Sequence, residues 1–178
     1  MDGYLSYRTV VFLKTKLADV TLNVFETYHN ETEWQTGKKL KCIRLDMGQE
    51  WYNKAWEEYR KQYRLIFEFT TPYAHQQNGM AERSLRTILD GARTVMAESG
   101  LPTRYWADAV QTTVYVWNLV PSSRQPHAIS AELWHGKQQD VSHLRLFGTT
   151  AYAHIPVDLN LSKLYLWSMK TVLLGYFS

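Results

Sequence analysis

The alternation of strand-like and helix-like segments constrains the fold of this chain most strongly. The strand-like apolar runs are residues 10–13, 40–45 and 65–69. The segments with apolar residues at three- and four-residue steps are residues 17–28, 52–63, 80–99 and 102–117. The first pattern predicts strands and the second predicts helices. Their alternation favours an α/β domain in which helices flank a sheet.

The pattern changes after residue 121, where short strand-like runs and turn residues replace the helical periodicity. We therefore predict two parts, a core over residues 1–121 and a small β-rich C-terminal extension over residues 122–178. The expected strands of the extension lie within residues 142–148, 150–155 and 171–176.

Composition excludes some classes of protein and permits others. The net charge of +3 permits nucleic-acid binding without requiring it. No apolar run is long enough to span a membrane, and the N-terminus does not have the pattern of a secretion signal. The lone Cys42 rules out an internal disulfide and predicts a buried, reduced thiol.

Two carboxylates stand out by their placement. Asp46 directly follows a predicted strand, where open α/β sheets bind their ligands, and Glu82 lies in the first turn of the long predicted helix. Each residue alone has an ordinary explanation: an aspartate after a strand is commonly a turn residue, and a glutamate in a first turn complements the helix dipole. Thirty-five residues separate the two.

The flanks of these carboxylates make the pattern specific. Residues 42–51, Cys-Ile-Arg-Leu-Asp-Met-Gly-Gln-Glu-Trp, resemble the block around the second catalytic aspartate of LTR-retrotransposon integrases. Residues 71–83, Thr-Pro-Tyr-Ala-His-Gln-Gln-Asn-Gly-Met-Ala-Glu-Arg, are similar to the segment that carries the catalytic glutamate of that family. Residues 101–110 resemble the helix that follows in the copia-type members, and residues 142–148 and 173–176 resemble their extension downstream of the core.

This resemblance implies an RNase H-like mixed sheet flanked by helices and an activity in DNA integration by polynucleotidyl transfer. In such enzymes three carboxylates hold two divalent metals, normally Mg²⁺, with Mn²⁺ as a substitute. Asp46 and Glu82 would then be catalytic residues and metal ligands. The implied partners are DNA, with RNA as a further candidate, and other copies of the protein. The implied location is the nucleus, with the cytoplasm as the alternative.

The chain departs from the family pattern in ways that bear on activity. The strand that carries the first catalytic aspartate and the N-terminal zinc-binding module are not found, so we expect an N-terminally truncated core. Asp2 and Asp19 are poorly placed to substitute for that aspartate, and Gln49 stands where the family usually has a glycine. Whether the chain is an enzyme is left open. We expect it to be inactive, and the alternative is a non-catalytic nucleic-acid-binding or interaction module of the same fold.

Six residues near Glu82 are candidates for nucleic-acid contact. They are His75, Gln76, Gln77, Asn78, Arg83 and Arg86. The first four carry donors and acceptors in a predicted loop, and the two arginines could bind phosphates. A mobile loop without a role explains the first group equally well, and an ion pair between Glu82 and Arg86 is the alternative for the second.

Overall fold

The computed structural model describes residues 1–3, 5–46, 48, 51–69, 75–123, 125–156 and 166–176, with only the backbone described for 75–78. Its helices are α1 (Ala18–Thr36), α2 (Lys54–Tyr63), α3 (His75–Ser99), α4 (Trp106–Asn118) and α5 (Ser130–His135). Its strands are β1 (Cys42–Leu45), β2 (Ile66–Phe69), β3 (Pro121–Ser122), β4 (Gln125–Ile129), β5 (Thr150–His154) and β6 (Ser168–Val172). The mixed α/β class predicted from the sequence is confirmed.

The strands form three two-stranded sheets in the described part of the chain, whereas we expected one mixed sheet. Strands β1 and β2 are parallel, with Leu45 opposite Phe69, and the other two pairs are antiparallel. The strand predicted over residues 10–13 is wrong, because that segment forms no strand and three of its residues are exposed. Side chains of this segment pack against other parts of the chain: Val10 lies against the core, and Phe12 contacts Trp106 edge to face.

Helix α2 connects the two parallel strands and covers them with an aromatic cluster. Trp56 of α2 is fully buried. Its ring lies 5.2 Å from that of Phe25 on α1 and 6.0 Å from that of Phe67 on β2. Asn53 caps α2, since its side chain accepts a hydrogen bond from the backbone N–H of Trp56. The cluster therefore joins α1, α2 and the sheet.

A second core lies between α3 and α4 and includes residues from the C-terminal part of the chain. Ala92, Val110 and Phe147 are buried in it, and Leu174 packs against it. A Cβ on Gly91 would come within 2.7 Å of the Thr113 side chain, so glycine permits the close approach of these helices. The domain boundary at residue 121 stays a prediction.

Several local predictions are wrong. Cys42 is exposed, because the two-stranded sheet leaves its first position uncovered. Leu85, which the apolar periodicity of residues 80–99 places on the buried side of α3, is 57 % exposed, whereas Ile88 and Ala92 belong to the core. Residues 142–148 form turns and no strand. Within the described residues, no helix has both the length and the apolar character needed to cross a bilayer.

We predict that Trp56→Ala lowers the free energy of unfolding by about 3–5 kcal/mol, because it removes the buried centre of the aromatic cluster. Urea denaturation followed by circular dichroism measures this change. Trp34→Ala is the matched control, since Trp34 is 85 % exposed, and it should change stability by less than about 0.5 kcal/mol. Equal effects of the two substitutions would contradict the packing described above.

Glu33 gives a prediction of pH dependence. Hydrogen bonds from Lys39, from the backbone N–H of Leu40 and from His29 lower the pKa of its carboxyl group from 4.5 to about 2. Because folding lowers the pKa of Glu33, its ionised carboxylate stabilises the fold above pH 4.5. This contribution is lost as the pH falls from 4.5 towards 2 and the carboxylate is protonated. Glu33→Gln should therefore flatten the dependence of the free energy of unfolding on pH in that window.

Candidate functional site

Asp46 lies directly after β1 and is exposed. Its Oδ1 accepts hydrogen bonds from the indole Nε1–H of Trp51 at 2.8 Å and from the backbone N–H of Gly48 at 3.3 Å. The second bond is the turn-forming role that an aspartate after a strand commonly has. Among the described residues, none donates a hydrogen bond to Oδ2.

The topology relates Asp46 to the start of α3. Because β1 and β2 are parallel with Leu45 opposite Phe69, both strands end at the same edge of the sheet. Helix α3 begins at His75, shortly after the end of β2. Glu82 follows the first residue of α3 by seven positions, which corresponds to about 10 Å along the helix axis. Its side chain is exposed. That Asp46 and Glu82 share one cation stays a prediction.

The donor type fits Mg²⁺, but the number of donors falls short. Both carboxylates are hard oxygen ligands of the kind that Mg²⁺ binds. Across the described ranges, no three His, Cys, Asp or Glu side chains are grouped closely enough to hold a metal ion. That Asp46 and Glu82 supply two of the three carboxylates implied by the resemblance stays a prediction.

The arginines of α3 differ in their ion pairing. Arg93 forms an ion pair with Asp90 at 2.8 Å. Arg83 and Arg86 are exposed, and neither forms an ion pair with a described residue. The Glu82–Arg86 pair considered from the sequence is thus not formed within this part of the chain. The guanidinium of Arg83 lies over Gly79, with Nη1 3.1 Å from the position that a Cβ would occupy.

The loop predicted immediately before Glu82 is in part helical. His75, Gln76, Gln77 and Asn78 belong to the first turn of α3, so the helix begins five residues earlier than the periodicity indicated. Polar residues do not contribute to an apolar stripe, which is why the pattern missed this turn. The side chains of these four residues lie outside the part of the chain that the structure describes, and so do Met47 and Gln49. The proposed roles of these residues stay predictions.

Two contacts on the segments that carry the candidate carboxylates were not identified from the sequence. Trp51 orients Asp46 through the hydrogen bond described above, and a tryptophan five residues after Asp46 was the available signal. Arg8 donates through Nε to Ser84 Oγ at 2.8 Å, which brings a guanidinium from the N-terminal segment to the turn of α3 that follows Glu82. Burial lowers the pKa of Arg8. No local pattern predicts this long-range contact.

Comparison with known proteins finds relatives that match most of the length of the chain. The Retrovirus-related Pol polyprotein from transposon TNT 1-94 of Nicotiana tabacum is 38% identical over 94% of the chain. The Transposon Ty1-DR4 Gag-Pol polyprotein of Saccharomyces cerevisiae is 30% identical over 83% of the chain. The chain spans 12% and 9% of the lengths of these polyproteins. No protein-family model matches it.

Solved structures show the same fold at low sequence identity. The catalytic core domain of HTLV-2 integrase, solved in complex with magnesium in a trimeric form, matches with a TM-score of 0.56 and 16% identity. That match covers 75% of this chain and 80% of the other. A chain of the simian T-cell lymphotropic virus intasome in complex with the PP2A regulatory subunit B56 gamma matches with a TM-score of 0.60 and 12% identity. It covers 95% of this chain and 59% of that one.

The relatives and the fold together identify the family of the chain. The chain belongs to the copia/Ty1-type retrotransposon Gag-Pol family and corresponds to a region with the fold of the retroviral integrase catalytic core.

Proposed function

We propose that this chain is part of an integrase catalytic core that acts in DNA integration, and that as a 178-residue polypeptide it binds DNA without transferring strands. The observation that carries the proposal is the position of Asp46 at the sheet edge from which the chain continues towards α3 and Glu82. DNA strand transfer in this family requires three carboxylates, and the two motif blocks of this chain supply two.

Asp46 and Glu82 are the proposed ligands of Mg²⁺ or Mn²⁺. Such an ion supplies Lewis-acid stabilisation of phosphoryl oxygens when it is bound. Asp46 is suited to the role because Trp51 and Gly48 orient its carboxylate through hydrogen bonds to Oδ1. With two protein carboxylates the affinity is expected to be low, because water must fill the remaining coordination positions.

Arg83 and Arg86 are the proposed phosphate contacts. Both are exposed on the helix that carries Glu82, and no described acidic residue neutralises either of them. A phosphate held by these arginines would lie near the proposed metal ligands, as binding of a DNA strand requires. His75, Gln76, Gln77 and Asn78 at the start of the same helix are proposed as additional contacts to the strand.

The partners and the location are part of the proposal. We propose element ends and target DNA as ligands, assembly into a homo-oligomer and action in the nucleus, where the target DNA lies. RNA binding is the second candidate ligand class, and the cytoplasm is the alternative location. Competition between duplex DNA and duplex RNA for the chain would distinguish the two nucleic acids.

We predict weak Mn²⁺ binding that requires both carboxylates. Electron paramagnetic resonance titration should show at least about a tenfold loss of affinity in Asp46→Asn and in Glu82→Gln, since each removes a charged ligand. Glu98→Gln, an exposed change on the same helix, should leave the affinity unchanged. A strand-transfer assay with Mn²⁺ should show no turnover. Turnover that Glu82→Gln abolishes would refute the proposed inactivity, and Mn²⁺ binding that survives both substitutions would refute the site.

The arginines give a prediction for DNA binding. Arg83→Ala and Arg86→Ala should each weaken duplex binding and reduce the slope of log affinity against log salt by about 1, because each removes one phosphate contact. Fluorescence anisotropy over a range of NaCl concentrations measures this slope. Arg93→Ala is the matched control, because Asp90 already neutralises Arg93. An equal effect of all three substitutions would show that α3 contributes only general charge.

A further inference from the structure

An open cavity of about 550 Å³ lies beside Asp46, between the start of α2 and the end of β2. Trp51, whose indole holds Asp46, forms one of its walls, and Phe67 and Phe69 of β2 form another. A cavity of this volume suits a ligand the size of a nucleotide. The cavity therefore lies near Asp46, one of the proposed metal ligands, which is not among its lining residues.

The aromatic residues of the cavity present an incomplete stack. The rings of Tyr52 and Phe69 are stacked, with centroids 4.7 Å apart and an interplanar angle of 21°. Phe69 covers one face of the Tyr52 ring, yet Tyr52 is still 55% exposed. A planar ring that is packed on one side and open on the other can accept a further planar group at the same spacing.

The polar residues of the cavity favour an anion beside that planar group. Lys54 is almost fully exposed, and its contact with Glu58 is 3.7 Å long and solvated, so it offers little competition to a ligand. Glu57 is the acidic residue among the described residues that line the cavity. It forms ion pairs with Arg60 at 2.7 Å and with Lys61 at 3.5 Å. Among the described residues that line the cavity, Lys54 and Arg60 are cations and Glu57 is an anion, so the lining carries one net positive charge.

A planar group joined to an anion is the chemical description of a nucleotide. We infer that this cavity is a subsite for one unpaired nucleotide of the bound DNA, with the base stacked on Tyr52 and a phosphate at the Lys54 ammonium group. Stacking on an aromatic residue is open to every base, so the subsite selects unpaired over paired strands and does not select sequence. A base pair inside the duplex cannot stack there, because its neighbours cover both of its faces. This inference rests on the proposed DNA binding.

Two duplexes test the inference, one blunt and one with a two-nucleotide single-stranded overhang. Fluorescence anisotropy should show that the chain binds the overhang duplex at least about fivefold more tightly, which corresponds to the lower end of base–aromatic stacking. Tyr52→Ala should abolish the difference and Tyr52→Phe should retain it. Tyr152→Ala is the matched control, because Tyr152 is 69% exposed on β5, outside the cavity, and it should retain the preference.

The outcomes separate the inference from the function on which it rests. If the chain binds neither duplex, the proposed DNA binding fails, and the inference fails with it. If both duplexes bind equally, or if Tyr52→Ala keeps the preference for the overhang, the subsite is overturned while DNA binding stands. If Tyr52→Ala instead lowers the oligomeric state in sedimentation, the cavity is an interface between copies and the inference is likewise overturned.

Discussion

The parallel pairing of β1 with β2 is the constraint on which the candidate site depends. A parallel connection must return the chain to the same end of the sheet, and here α2 makes that return with Trp56 buried beneath it. The two strands therefore end side by side, at Leu45 and Phe69. Asp46 and the aromatic cavity lie at that edge as a consequence.

Aromatic packing connects fold and site through a short series of contacts. The ring of Trp51 lies 4.9 Å from that of the buried Trp56, and its indole N–H holds Asp46. Tyr52, the next residue, stacks on the last residue of β2. Side chains that stabilise the sheet thus also fix the carboxylate and shape the cavity beside it. A substitution that disrupts the packing around Trp56 is therefore expected to change the geometry of the candidate site as well as the stability of the fold.

The sequence predicts elements where periodicity is strong and fails where packing decides. The apolar stripes indicated α1, α2, α4 and most of α3, and the run before Asp46 indicated β1. Residues 10–13 have strand composition, but a strand needs a partner backbone, and these side chains pack against other elements instead. Asp46 and Glu82 were identified through motif blocks because those blocks are local. The contact between Arg8 and Ser84 joins residues 76 positions apart, and no local pattern encodes it.

The central claim is that two carboxylates distant in sequence bind one divalent cation at the edge of the sheet. A crystal structure of the chain grown with Mn²⁺, with anomalous scattering recorded at the manganese edge, tests it directly. We expect one anomalous peak at about 2.1–2.2 Å from an oxygen of Asp46 and from an oxygen of Glu82, close to the distance at which carboxylates bind Mg²⁺. Carboxyl groups on opposite sides of the molecule, or a peak bound by neither residue, would contradict the claim.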